Sequence, residues 1–271
     1  APLACASRAT SPTAAPAAPS VAAFRFDAAR VPVGRVVHYV KSNLDGSKPA
    51  LVSVYFAAAD RIEVYKSEQG LDDAAEVNAW LDWSTFSIAR LEAGVIRADG
   101  SREARARVEV EADGRLHVRV GDQEQRIAGP AAPFHVYNFD LMSLGAALPH
   151  LAAPAAPFAV TIVDPTFGRS PGLVEDRGAV AFTFVGEEAL GGVPCRKYAL
   201  TGPGLLDRGG ALWTRASDGL IERVESPLAN NPDWHSFRLE RVGEAPMTAE
   251  AWETYRRTHV GAGVPPELTR P

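Results

Sequence analysis

The chain has 271 residues and a formal net charge of -5, with 46% hydrophobic and 23% charged residues. That balance suits a globular protein that buries a core without metals or disulfides. Its basic residues form no stripe, which argues against nucleic acid as a partner, and no apolar run reaches the ~18 residues of a membrane-spanning helix.

The first segment reads "APLACASRATSPTAAPAAPSVAAF". Ala4-Cys5-Ala6 fits the small-x-small pattern before an export cleavage site, and Leu3-Ala4-Cys5 partly fits a lipoprotein box, although Pro2 stands where an aliphatic residue is usual. Cys5 is therefore the candidate lipidation site, and the expected location is the periplasm or cell envelope. A lipid on Cys5 would be the only membrane anchor. The Pro/Ala tract has too little to bury to offset its ordering entropy, so residues 1–23 are expected to be a disordered tether to a single β-rich domain, 24–271.

Short β signals then recur along the chain. "GRVVHYVKSN" and "ALVSVYFA" flank a turn at Asp45-Gly46, and "RIEVYKS" follows. "EARARVEVEADGRLHVRV" is the clearest hairpin. Ala104, Ala106, Val108 and Val110 share one face, the chain turns at Asp113-Gly114, and Leu116, Val118 and Val120 resume the alternation. In "NFDLMSLGAALPHL", Leu141, Leu144, Leu148 and Leu151 recur at helical spacing, with a stop near Pro149. Further strands read as "FAVTIVD", "AVAFTFVGEEAL", "CRKYALTG", "GALWTRAS", "LIERVES" and "WHSFRLERV", with a turn at Asp218-Gly219. "TAEAWETYRRTH" is a helix with Thr248 as N-cap, Glu250 in its first turn, and Trp252 and Tyr255 on one face. The pattern predicts a mainly β fold: a curved antiparallel sheet or half-open barrel of about ten to twelve strands with one or two covering helices.

Chemical motifs are scarce. Gly168-Arg169-Ser170-Pro171-Gly172 spells the Gly-x-Ser-x-Gly of serine hydrolases. In that elbow the residue after the serine donates its N–H to the oxyanion, and Pro171 has none. No strand–elbow–helix context surrounds it either, so Ser170 reads as a turn serine. The six histidines show no metal-ligand spacing. Asp233 and His235 could sit on one strand face as an acid/base pair, which is the hydrolase alternative. Glu187-Glu188 reads as a solvated turn and Cys195 as a small buried strand residue. No catalytic residue, metal ligand or cofactor motif emerges.

Aromatic residues remain. Trp80, Trp83, Phe139 and Trp213 lie where clean in/out alternation lapses, so they are the candidate lining of a cavity for a lipid or other apolar ligand. The same residues would serve a filled core, which is the reading of a purely structural or assembly module. A second envelope protein is the other candidate partner.

The stretch from Tyr137 to Val242 carries "YNFDLMSLGAALPHL", "FTFVGEEALGGVPCRKYALTG" and "LWTRASDGLIERVES" in order. It resembles an uncharacterised family of exported bacterial β-rich proteins known as a domain of unknown function. The order of elements is also similar to the lipoprotein-carrier half-barrel, a half-open antiparallel barrel with helices against its concave side. The first resemblance implies no catalytic residues, and the second is an analogy of fold.

Overall fold

The computed structural model describes residues 18–166 and 171–268. Cys5 and Ser170 lie outside the described residues. In chain order the strands are β1 (Arg35–Ser42), β2 (Ala50–Ala58), β3 (Arg61–Glu68), β4 (Asp73–Asp82), β5 (Ser87–Arg97), β6 (Arg102–Val110), β7 (Leu116–Val120), β8 (Gln123–Ile127) and β9 (Phe134–His135). After helix α1 (Met142–Ala147) come β10 (Phe158–Pro165), β11 (Val174–Leu190), β12 (Val193–Thr201), β13 (Gly210–Arg215), β14 (Ile221–Ser226) and β15 (Phe237–Pro246), and helix α2 (Ala249–Thr258) follows.

Among the described residues all fifteen strands form one sheet, in the order β8-β7-β6-β5-β4-β3-β2-β1-β15-β14-β13-β12-β11-β10-β9. The sheet is open, ending at β8 and β9, and its pairs are antiparallel except β9–β10. The mainly β antiparallel architecture agrees with the sequence reading, but fifteen strands exceed the expected ten to twelve. The four unforeseen strands are β4, β5, β8 and β9. "DAAEVNAWLD" and "SIARLEAGVIR" are rich in Ala, Glu, Leu and Arg, which favour helix in isolation, and pairing within the sheet overrides that preference. β8 is polar, and β9 has only two residues. Glu187 and Glu188 lie within β11, not in a turn.

The anticipated Asp-Gly turns form by one device. Asp45, Asp113 and Asp218 each accept, on Oδ1, the amide two residues ahead, at 2.9, 3.0 and 2.9 Å. The sheet also bends at a bulge between Ala93 and Gly94. A Cβ on Gly94 would stand 2.4 Å from the Glu103 carbonyl oxygen, so only glycine lets β5 and β6 approach there.

The two helices occupy opposite faces. α1 and the 3-10 turn after it, Leu148–His150, enter the concave side, where Leu141, Leu144, Leu148 and Leu151 join the main core with Phe24, Phe158, Phe182 and Tyr198. α2 packs on the convex side. Trp252 meets Val36, Tyr55, Tyr65, Ala74 and Ile96, and its indole N–H donates to Glu63 at 2.9 Å. Thr248 caps the helix, accepting the Ala251 amide at 3.2 Å. No helix of the described residues is long and apolar enough to cross a membrane.

The ordered fold starts before residue 24. Val21–Ala23, expected to belong to the tether, form a 3-10 turn; Val21 and Ala23 pack against the core, and the Ala23 carbonyl accepts the Ala152 amide at 2.9 Å. Phe24 then stacks on Phe86 at 5.1 Å.

Candidate functional site

α1 and the Phe24–Phe158–Phe182 group fill only part of the concave side. Between β4–β8 on one wall and β9, the ends of β10 and β11 and the Pro171–Leu173 approach on the other lies a cavity of about 650 Å3. Two contacts tie these walls together. The Phe134 amide donates to Ser87 Oγ at 2.9 Å, and the Leu173 amide donates to Gln125 Oε1 at 2.5 Å.

Register explains why the space stays open. One cross-strand row runs Val77–Ala93–Ala106–Val120–Gln123, and two of its three inner residues are alanines. Small side chains in mid-wall leave a hollow that Leu or Phe would fill. One side of this row carries Ile88, Leu91, Val108, Leu116 and Val118, faced by Phe134 and Val136. The other side carries Lys66, Arg105 and Asn138. Because the strands are antiparallel, Lys66 near the end of β3 and Arg105 near the start of β6 lie toward the same end of the cavity. The cavity thus has an apolar depth and a polar, cationic end. Its size and lining match those of sites that enclose small apolar molecules.

Behind the cationic end is a buried charge cluster. Asp140, fully buried, receives Lys41 Nζ on Oδ1 at 3.2 Å and Lys66 Nζ on Oδ2 at 2.5 Å, while the Asn230 amide donates to Oδ1 at 2.7 Å. Burial by itself would raise the Asp140 carboxyl, but the two ammoniums and the amide outweigh it and hold the group down at about 2. Burial also pulls Lys41 below the usual lysine range, with Asp140 offsetting part of that pull. Lys41 lies 4.0 Å from the centre of the Trp234 ring. Asn138 extends the cluster: its amide N–H donates to Asp164 at 2.8 Å, and Asp164 pairs with Arg177 at 3.1 Å.

Of the four aromatic residues singled out from sequence, Phe139 alone lines this cavity. Trp80 points to the convex face, since its neighbours Ala79 and Leu81 enter the core, and it sits between the guanidiniums of Arg61 and Arg90. Trp83 donates to the Ala59 carbonyl at 2.9 Å and stacks on Phe26 at 4.8 Å. Trp213 donates to Glu188 and lies under the Lys197 ammonium. The cavity wall comes instead from the Ala106–Val120 hairpin, where alternation is cleanest.

The remaining candidates are dispersed. Asp233 and His235 occupy an exposed turn before β15, where His235 Nε2 faces Asp45 Oδ2 at 3.7 Å. Cys195 is buried on β12, its thiol donates to the Val193 carbonyl, and burial pushes the group up. Among the described residues no cluster of three or more His, Cys, Asp or Glu could hold a metal ion.

No family model matches the chain, and no curated protein matches it. Solved structures do. A beta-barrel-like protein of a domain of unknown function, DUF1849, from Brucella abortus is 10% identical, with a TM-score of 0.42 over 78% of this chain and 97% of the other. MucB in the Pseudomonas aeruginosa MucA/MucB complex is 14% identical, with a TM-score of 0.27 over 83% of this chain and 56% of MucB. A putative outer membrane lipoprotein-sorting protein domain from Vibrio parahaemolyticus is 10% identical, with a TM-score of 0.24 over 82% of this chain and 89% of that domain. These likenesses are distant, and at such TM-scores the overlap is too loose to transfer an activity.

Proposed function

We propose that the chain is a non-catalytic cell-envelope protein that encloses an apolar or amphipathic molecule, a lipid above all, in the concave cavity. The observation that carries this reading is the hollow of about 650 Å3, walled by Ile88, Leu91, Val108, Leu116, Val118 and Phe134. Water confined against such a wall gains little hydrogen bonding, and replacing it by an acyl chain removes apolar surface from water. The envelope setting follows the export signal around Ala4-Cys5-Ala6 and the family resemblance of Tyr137–Val242.

The test fills the hollow. Ala106 lies at mid-wall, and Ala106→Trp places an indole in the space a ligand would use. The unaltered protein is expected to brighten the neutral dye Nile red and to lose that signal when dodecanol is added. The variant is expected to bind the dye at least about tenfold more weakly, a loss of about 1.4 kcal/mol, while keeping the far-ultraviolet circular dichroism of the parent. Equal dye binding by both proteins would sink the proposal. Native tryptophan fluorescence is a poor probe, because no tryptophan lines the cavity.

A further inference from the structure

The cavity is asymmetric, and its asymmetry constrains the occupant. Lys66 and Arg105 are the charged residues of its lining, both cationic and both at the same end. Lys66 is held from behind: Asp140 accepts from its ammonium at 2.5 Å and the Asn138 carbonyl at 3.3 Å. An ammonium carries three N–H donors, and these two partners take two of them. Asp140 is shared with Lys41, so one carboxylate is divided between two ammoniums, with Glu68 acting on Lys41 as a weaker negative charge. Asn138 adds a polar group at the same end, where its carbonyl meets Lys66, and the opposite end is aliphatic and aromatic.

We propose that the occupant is a single-chain amphiphile with an anionic head group, seated with its head against Lys66 and its tail among Ile88, Leu91, Val108, Leu116 and Phe134. This rests on the cavity reading above and adds the class and direction of the ligand. Lys66 serves as the head-group contact; Lys41 and Asp140 position it. The Asp140 carboxylate fixes the Lys66 ammonium at the wall, and Lys41 supplies the second positive charge that leaves the end attractive to an anion. Arg105, about half exposed and paired loosely with Asp73 and Glu103 at 3.5 Å, marks the outer edge of the same field.

The experiment compares two probes of equal tail, dodecanoate and dodecanol, displacing Nile red at pH 8 and below their aggregation concentrations. Dodecanoate is expected to bind about tenfold tighter, as one charge-assisted hydrogen bond would give. Lys66→Met is expected to bring the dodecanoate-to-dodecanol affinity ratio to about one, whatever it does to the affinity for either probe alone, and Lys66→Arg to keep most of the ratio. Equal binding of both probes by the unaltered protein overturns the head-group assignment but leaves the cavity reading standing. Displacement by neither probe overturns both. A preference that survives Lys66→Met overturns the role of Lys66. Should that variant not fold, the comparison on the unaltered chain still decides the sign.

Discussion

His135 lies fully buried on β9, its Nδ1 3.1 Å from Ser143 Oγ, and burial pushes its pKa down to about 3. His38, 2.8 Å from Ser53 Oγ, is pushed down to about 4 by burial and then by His259. Both imidazoles are thus neutral in the fold at pH values where an unfolded histidine, near 6.5, takes up a proton. A depressed folded pKa contributes stability above the unfolded value and loses it as pH falls toward the folded one. Acidification from about pH 6.5 toward 4 is therefore expected to destabilise the protein by up to about 1.4 kcal/mol per pH unit for each group. His135→Gln keeps a polar partner for Ser143 but cannot titrate, so its urea midpoint should fall less steeply between pH 6.5 and 4 than the parent's. Parallel slopes would show that His135 is not among the groups responsible. Asp140 adds to the same trend at lower pH, since its carboxylate is held down at about 2 and its pairing with Lys41 and Lys66 is lost on protonation.

At the scale of elements, the 3-10 turn Val21–Ala23 is the piece that sequence composition hides best. Its Ala-rich sequence continues that of the Pro/Ala tract, yet Ala23 is tied to Ala152 and Val21 rests on the core. Deleting residues 1–23 is expected to cost about 1–2 kcal/mol, or about 2–8 °C in Tm for a domain of this size. Scanning calorimetry checks this, and an unchanged Tm would show that the turn contributes nothing. Elements with a strong local signature were legible: the Asp-Gly turns, the 104–120 hairpin, and α2 with its Thr248 cap. β4 and β5 were not, because their helix-favouring composition gives way to non-local pairing with β3 and β6. The site was harder still. Broken alternation drew attention to Trp80 and Trp213, whose rings are held by cations on the convex face or by Glu188. A hollow arises where inward residues are small, as at Ala93 and Ala106, and smallness inside a regular strand leaves no mark on the pattern.

Taken whole, the sheet has a plain connectivity. Neighbours in the sheet are neighbours in the chain everywhere except at β1–β15, where Arg35 to Ser42 pair with Pro246 to Arg238. Among the described residues the sheet is therefore two runs of strands, the meander β1–β8 and the run β9–β15, in which only β9 pairs parallel, sharing one long ladder and linked at 128–133 by a segment exposed at 128, 129 and 131. Almost every pairing is local in sequence, and the β1–β15 ladder carries the loop-closure cost of the whole domain. Such a layout makes the covalent link at 128–133 dispensable in principle. Cut there, the two fragments, 1–128 and 129–271, would each retain an uninterrupted run of strands and a complementary edge. Co-expressed as separate chains, they are expected to associate through β1 and β15 and elute together at the size of the intact protein. Fragments that elute apart would mean that tethering, more than edge complementarity, holds the two halves in register.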